Sequence, residues 1–286
     1  MFSQKRAGAA ALPLSTIGFC FSLWGQPAAA PKTCAEMEEF LREAHIGTQK
    51  TTAKGVTQPK SARLDHNGFI HEAGIQTVHI SKSEYKTDRG VELNFKDWWE
   101  FNVADYELAK LLEVNMVPPY IPKKVGGNAA SLTWYVNDVM LELDRRKKKL
   151  EPPDQDNWNK QMYVIRVFNQ LIYNVDDNLT NFLIDKNWQL WMIDFTRSFR
   201  LHKTLKNPEN LVQCDRKLLA NLRKLDKATL EEKLVKPRYL TKPEMEAVLA
   251  RRDKIVEFFE KQIAQKGEAA VLFDLPRVGQ PCGAGL

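Results

Sequence analysis

The chain has 286 residues, 43% hydrophobic and 27% charged, with 42 Lys and Arg against 36 Asp and Glu for a net charge of +6. That composition excludes a collagen-like, a disordered and a multi-spanning membrane chain, and the length is enough to bury a core without a disulfide or metal staple. Four cysteines lie far apart with no C-x-x-C pair, which argues against a zinc site or a disulfide framework.

Lys5 and Arg6 precede an uncharged stretch, Ala7 to Trp24, and then Gly-Gln-Pro-Ala-Ala-Ala ending at Ala30. A basic start, an apolar middle and a small-residue end read as a secretory signal peptide over residues 1–30. Pro13, Ser15 and Thr16 disfavour a permanent span. Pro31 stands just after the Ala-x-Ala site, so an uncleaved anchor and a misassigned start stay open. A used signal implies export, periplasmic or secreted; a misassigned start implies a cytoplasmic protein. Its removal takes away two of the 42 basic residues and none of the 36 acidic ones, leaving +4. The remaining excess asks for no nucleic-acid partner, and no stable membrane span is left. Cys34, Cys214 and Cys282 remain; the odd count argues against full pairing but leaves a Cys34–Cys214 bond open.

Glu36 to Ala44 reads as a short helix with Met37, Phe40 and Leu41 on one face. Residues 47–60 are polar and read as a connector. Strands dominate Ser61 to Phe95, with turns at His66-Asn67-Gly68 and Asp88-Arg89-Gly90. At Trp99 to Leu112 the period becomes helical. Pro118, Pro119 and Pro122 force an extended segment. A hairpin is expected around Gly126-Gly127-Asn128, then a helix over residues 138–149. That helix ends in Arg145-Arg146-Lys147-Lys148-Lys149, a solvated face or an anion or membrane-surface contact. Trp158 to Tyr173 is a long helix, residues 182–184 and 189–193 are short strands, and helices are expected at 209–225, 227–235 and 242–265. Thr241 with Glu244 has the capping-box spacing for the last of these. The division predicted is a helix and connector over 31–60, a small strand-rich lobe over 61–150, a helical lobe over 151–275, and a disordered tail over 276–286.

The chemistry concentrates between Val167 and Arg200. Asp176 follows the long helix, Asn181 lies five residues on, and Asp194 follows the hairpin thirteen residues later. This order of helix, D-x-x-x-x-N loop, hairpin and Asp-Phe is that of a phosphoryl-transfer segment. Asp176 suits a base that accepts or orients the acceptor proton. The Asn181 amide oxygen and the Asp194 carboxylate suit Mg²⁺, which neutralises charge developing on the phosphates. Asn178-Leu179-Thr180 also matches a glycosylation acceptor, a coincidence inside this loop.

Asn174-Val175-Asp176 to Asn181, followed by Ile193-Asp194-Phe195, resembles the kinase-like superfamily in its branch of HipA-type, Fam20-type and phosphoinositide-kinase-type proteins. More narrowly, VADYELAKLL, MVPP, PPD with WNKQMY, and Met192 to Arg200 (MIDFTRSFR) resemble a group of uncharacterised bacterial proteins. The resemblance implies an α+β, two-lobed protein-kinase-like fold with ATP and Mg²⁺ in the cleft. It implies transfer of a phosphoryl group to a hydroxyl of a protein or small molecule. A pseudokinase acting as a binding or scaffold module, and a kinase-fold enzyme transferring AMP, are the alternatives.

The sequence departs from this family at the phosphate end. Relatives carry a Lys on the third strand paired with a Glu on the next helix; here those positions are Gln76 and Asn102. A neutral Gln76–Asn102 pair is one outcome. Charge supplied by Lys96 or Lys82, with Glu107 as partner, is a second, against a plain surface role for Lys96. Loss of catalysis is a third. Gln76, Asn102 and Lys96 are therefore the candidate nucleotide-binding residues. Arg197 and Arg200 either brace the loop after Asp194 or meet a substrate phosphate. Trp98, Trp99, Trp188 and Trp191 read as packing residues.

Overall fold

The computed structural model describes residues 29–51, 60–87 and 90–276. The signal reading of residues 1–30 falls almost wholly outside these residues, as do the expected tail beyond 276, the connector at 52–59 and two residues of the Asp88-Arg89-Gly90 turn.

Thr33 opens the first helix, α1 (Cys34–Glu43), with a capping box. Its Oγ1 accepts the Glu36 N–H at 3.2 Å, and Glu36 Oε2 accepts the Thr33 N–H at 2.9 Å. At the other end Lys123 Nζ donates to the Leu41, Arg42 and Ala44 carbonyls at 2.9–3.0 Å, satisfying groups a helix terminus leaves open. Strands β1 (His45–Thr51), β2 (Lys60–His66) and β3 (Phe69–Gln76) follow. Then come a hairpin, β4 (His79–Thr87) and β5 (Gly90–Trp98), the helix α2 (Trp99–Leu112), and β6 (Tyr120–Val125) with β7 (Asn128–Trp134). Five of these strands form one antiparallel sheet in the order β1-β2-β3-β7-β6, while β4 and β5 pair only with each other. α1 buries Phe40 and Leu41 against Ala62, Leu64, Ile75 and Leu132 on one face of the five-stranded sheet.

Residues 47–51, expected as connector, are strand. Every residue of β1 except Ile46 is exposed, so no alternation of apolar residues marks it. Its ladder to β2 holds it as an edge strand.

The C-terminal part is mainly helical: β8 (Met140–Leu141), α3 (Glu142–Lys147), α4 (Gln155–Ile172), β9 (Phe182–Ile184) and β10 (Leu190–Met192) precede the last helices. α4 begins at Asp154, whose Oδ1 accepts the Asn157 N–H at 2.9 Å, and ends at Tyr173 in the left-handed region. A helix expected over 209–225 begins only at Arg216. Residues Pro208–Asn210 make a single 3-10 turn, and β11 (Cys214–Asp215) pairs with β12 (Leu272–Phe273). Asp215 then caps α5 (Arg216–Lys224) by accepting the Leu218 N–H at 2.9 Å. After α6 (Lys227–Leu230) and a π turn, α7 (Lys242–Lys266) starts on the Thr241–Glu244 capping box; α8 (Glu268–Val271) leads into β12.

Cys214 is a free, buried thiol, so the Cys34–Cys214 bond is not formed. The basic run that closes α3 is split. Arg145 and Arg146 both pair with Glu142, and Arg145 lies over the Trp158 ring, while Lys147 to Lys149 stay exposed. Among the described residues no helix is long and apolar enough to cross a membrane.

Candidate active site

The loop after α4 is shaped by its own asparagines. Asn174 Oδ1 accepts the Asp176 N–H at 2.9 Å, a turn that Asn side chains favour. Asn178 donates from Nδ2 to Asp176 Oδ1 at 3.0 Å, and its Oδ1 accepts from the Thr180 N–H at 2.9 Å. Asn181 donates from Nδ2 to the Asp176 carbonyl at 2.9 Å, which leaves its Oδ1 for a cation. The Ile193 N–H donates to the Asn181 carbonyl at 3.0 Å. That backbone bond, with the Val175 N–H donating to the Arg197 carbonyl at 3.4 Å, ties the loop to the segment after β10 and so sets Asp194 beside Asn181 and Asp176. Asp176, Asn181 and Asp194 thus lie near one another.

Asp194 sits at φ +60°, a conformation that non-glycine residues rarely adopt. It is held from three sides. Its N–H donates to Tyr120 Oη at 3.3 Å, its Oδ1 accepts from Thr196 Oγ1 at 3.2 Å, and the next N–H, of Phe195, donates to Asn102 Oδ1 at 2.7 Å. The Phe195 ring packs against Tyr120 and Phe168.

Burial first, and then the neighbouring Asp176 and Asp97 carboxylates, push the Asp194 carboxyl up to about 6. Asp97, 7% exposed at the end of β5, is also raised, first by burial; Thr196, Arg197 and Arg200 oppose that shift. Negative charge gathered in a poorly solvated place favours a cation. Among the described residues no group of three or more His, Cys, Asp or Glu is arranged to hold a metal ion. Mg²⁺ is nevertheless usually held by one or two carboxylates completed by substrate phosphate oxygens and water.

Gln76 and Asn102 each make separate bonds. Gln76 Oε1 accepts the N–H groups of Thr77 and Val78 at 3.0 and 3.2 Å. Asn102 Nδ2 donates to Ser131 Oγ at 3.2 Å, while its Oδ1 holds Phe195. Ser131 is the cross-strand partner of Gln76 on β7. Neither candidate lysine meets Glu107, which pairs with Lys110 at 2.8 Å. Lys96 Nζ lies 2.5 Å from Glu244 Oε1 of α7 and over the Trp98 ring, and Lys82 lies over Tyr85. Lys96 is anchored there because Glu244 is almost fully buried and needs a partner.

Arg197 and Arg200 brace the loop. Glu92 of β5 receives Arg197 Nη2 at 2.8 Å and Arg200 Nε at 2.6 Å, and both guanidinium groups lie over Phe95. The Trp98 N–H donates to the Thr196 carbonyl at 2.9 Å. Asn178, Tyr120, Asp97 and Glu92 are site residues that sequence reasoning did not single out. Asn178 was visible as part of the N-L-T triplet. The others reach the site from strands far away in sequence and leave no local signal.

A cavity of 430 Å³ lies apart from these residues, lined by Met37, Phe69, His71, Trp134, Pro119 and Trp191.

A five-stranded sheet with a helix between its third and fourth chain-order strands, joined to a helical part that carries the Asp-Asn-Asp loop and hairpin, defines a kinase-like fold. The same fold is found in Fam20 from hydra, solved with sugar: TM-score 0.62, 12% identity, covering 84% of this chain and 92% of that one. The Golgi casein kinase matches with TM-score 0.59 and 13% identity over 85% of this chain and 81% of that one. Its structure with Mn/ADP bound matches with TM-score 0.58 and 14% identity over 86% and 80%. At such identities the likeness is one of fold. No family model matches the sequence, and no curated protein matches it.

Proposed function

We propose that the chain is a phosphotransferase that moves the terminal phosphoryl group of ATP, held with a divalent cation, to a hydroxyl of a protein or small molecule. The observation that carries this reading is the convergence of Asp176, Asn181 and Asp194, fixed by the Ile193–Asn181 backbone bond. Asp176 accepts the acceptor hydroxyl's proton. That oxygen bonds to the γ-phosphorus as the bond to the bridging oxygen breaks, and ADP leaves with the electron pair. Asn181 Oδ1 and the Asp194 carboxylate would hold Mg²⁺ or Mn²⁺, which would neutralise the charge developing on the phosphates. The Golgi casein kinase, similar in fold, has been solved with Mn/ADP, which supports the same ligand class here. Gln76 and Asn102 stand at the positions where the family this chain resembles carries the lysine for the inner phosphates and that lysine's glutamate partner.

The test is the thermal midpoint with and without ATP and Mg²⁺ or Mn²⁺. A ligand that binds the folded state raises it by mass action. Asp194→Ala abolishes the metal-dependent rise; an unchanged rise refutes the metal assignment. Mass spectrometry of an acceptor mixture then separates phosphoryl from AMP transfer. One observation favours the pseudokinase alternative: neither Gln76 nor Asn102 carries charge. No midpoint shift at millimolar nucleotide would favour that alternative.

A further inference from the structure

The lysine that a kinase fold places at position 76 is absent, and Lys96 is committed to Glu244 at 2.5 Å. The sheet offers another. Residues directly opposite one another in an antiparallel sheet share a face. The registers place Lys50 of β1 across from Ser61, Ser61 across from Gly74, Gly74 across from Thr133, and Thr133 across from Tyr120. This row ends at the site, because Tyr120 Oη accepts the Asp194 N–H. Two residues along β3, on the same face, Gln76 stands across from Ser131, which receives the Asn102 amide. The face carrying Lys50 is thus the cleft face. Ala62, Ala73 and Leu132 belong to the opposite face, under α1.

Between Lys50 and the site the row is low. Ser61 is small and Gly74 has no side chain at all. A Cβ at Gly74 would fall 2.7 Å from Thr133 Cγ2, so the trough is kept open by packing. Lys50 is exposed, and two strand spacings, about 10 Å, separate its strand from β3. Its charge sits on a flexible four-carbon stem that reaches along the trough. Arg63, also on this face, stands across from the acidic Glu72.

We infer that Lys50 supplies the positive charge for the nucleotide phosphates that Gln76 no longer supplies. This rests on the phosphotransferase reading above and names the basic residue of the same site. Lys60, ten residues on in β2, is the control, because its register with Ile75 places it on the opposite face.

The test is calorimetric binding of ADP with Mn²⁺ to the full chain, its Lys50→Ala variant and its Lys60→Ala variant. Metal-free thermal midpoints show that each variant is folded. Loss of one charge-assisted phosphate contact weakens binding about tenfold or more. That loss is expected for Lys50→Ala and not for Lys60→Ala. Equal affinity of Lys50→Ala and the unaltered chain, or an equal loss in Lys60→Ala, overturns the role of Lys50 and leaves the phosphotransferase reading standing. No binding of Mn²⁺–ADP by the unaltered chain overturns both.

Discussion

Asn102→Ala is expected to destabilise the fold through the backbone of the Asp-Phe segment. Asn102 is 2% exposed, and the two residues it serves, Phe195 and Ser131, are each 1% exposed. Water cannot replace the amide without local opening. The Phe195 N–H, now bonded at 2.7 Å, would lose its acceptor; an unsatisfied buried donor costs about 1–3 kcal/mol. Ser131 Oγ, bonded at 3.2 Å, would lose a neutral donor, for about 1 kcal/mol more. Together these predict a loss of about 2–4 kcal/mol. For a chain of this size that lowers the thermal midpoint by about 5–15 °C. Urea denaturation is the cleaner assay: the midpoint concentration should fall with an unchanged slope. A stability change under about 0.5 kcal/mol would refute the reasoning, since it would mean Phe195 does not depend on Asn102.

Three further outcomes are expected. The folded-state value of Asp194, about 6 against an ordinary 3.8, is raised, so the folded chain holds this proton more tightly than the unfolded one and loses stability as pH rises through that interval. Without divalent cation, Asp194→Asn should therefore melt higher than the unaltered chain at about pH 8 and level with it near pH 4; a gap independent of pH would exclude this origin. Glu92→Ala leaves Arg200, 6% exposed, without its carboxylate and should cost about 3 kcal/mol in denaturant unfolding, while Glu92→Ala with Arg200→Met should recover much of it; no recovery would place the cost elsewhere. Gly74→Ala should lower the thermal midpoint because its methyl meets Thr133 Cγ2 at 2.7 Å, and Thr133→Ser in the same chain should restore it; equal midpoints for both variants would show that the strands part freely.

The legible parts of the fold were those with a local cause. Thr241 and Glu244 announce α7 because a capping box closes within four residues. The Asp176–Asn181–Asp194 spacing could be read because the loop and hairpin between them are short and continuous. β1 was hidden because its stability comes from backbone pairing, with six of its seven residues exposed. The late start of α5 was hidden for a related reason. The Cys214–Asp215 bridge pairs with Leu272 and Phe273, so the competitor to helix lies far along the chain. Tyr120, 74 residues before Asp194, and Glu92, 105 residues before Arg197, belong to the site only once the sheet and hairpin have folded.

Positions 76 and 102, where the family that this sequence resembles carries a charged pair, hold Gln and Asn, and this bears on what α2 does mechanically. A Lys–Glu pair couples a helix to a nucleotide by charge. Here α2 is coupled instead to the Asp-Phe backbone, through the Asn102–Phe195 bond. From the other side the β4–β5 hairpin holds the following residues, through the Trp98–Thr196 backbone bond and the Glu92 pairs with Arg197 and Arg200. Asp194, at positive φ between these two anchors, needs both to stay where the proposed metal ion requires it. A shift of α2 that broke the Asn102 bond would release Asp194 whether or not nucleotide were present. In the proposed enzyme the position of Asp194 is thus set by the fold, and nucleotide affinity is left to the residues lining the sheet's cleft face.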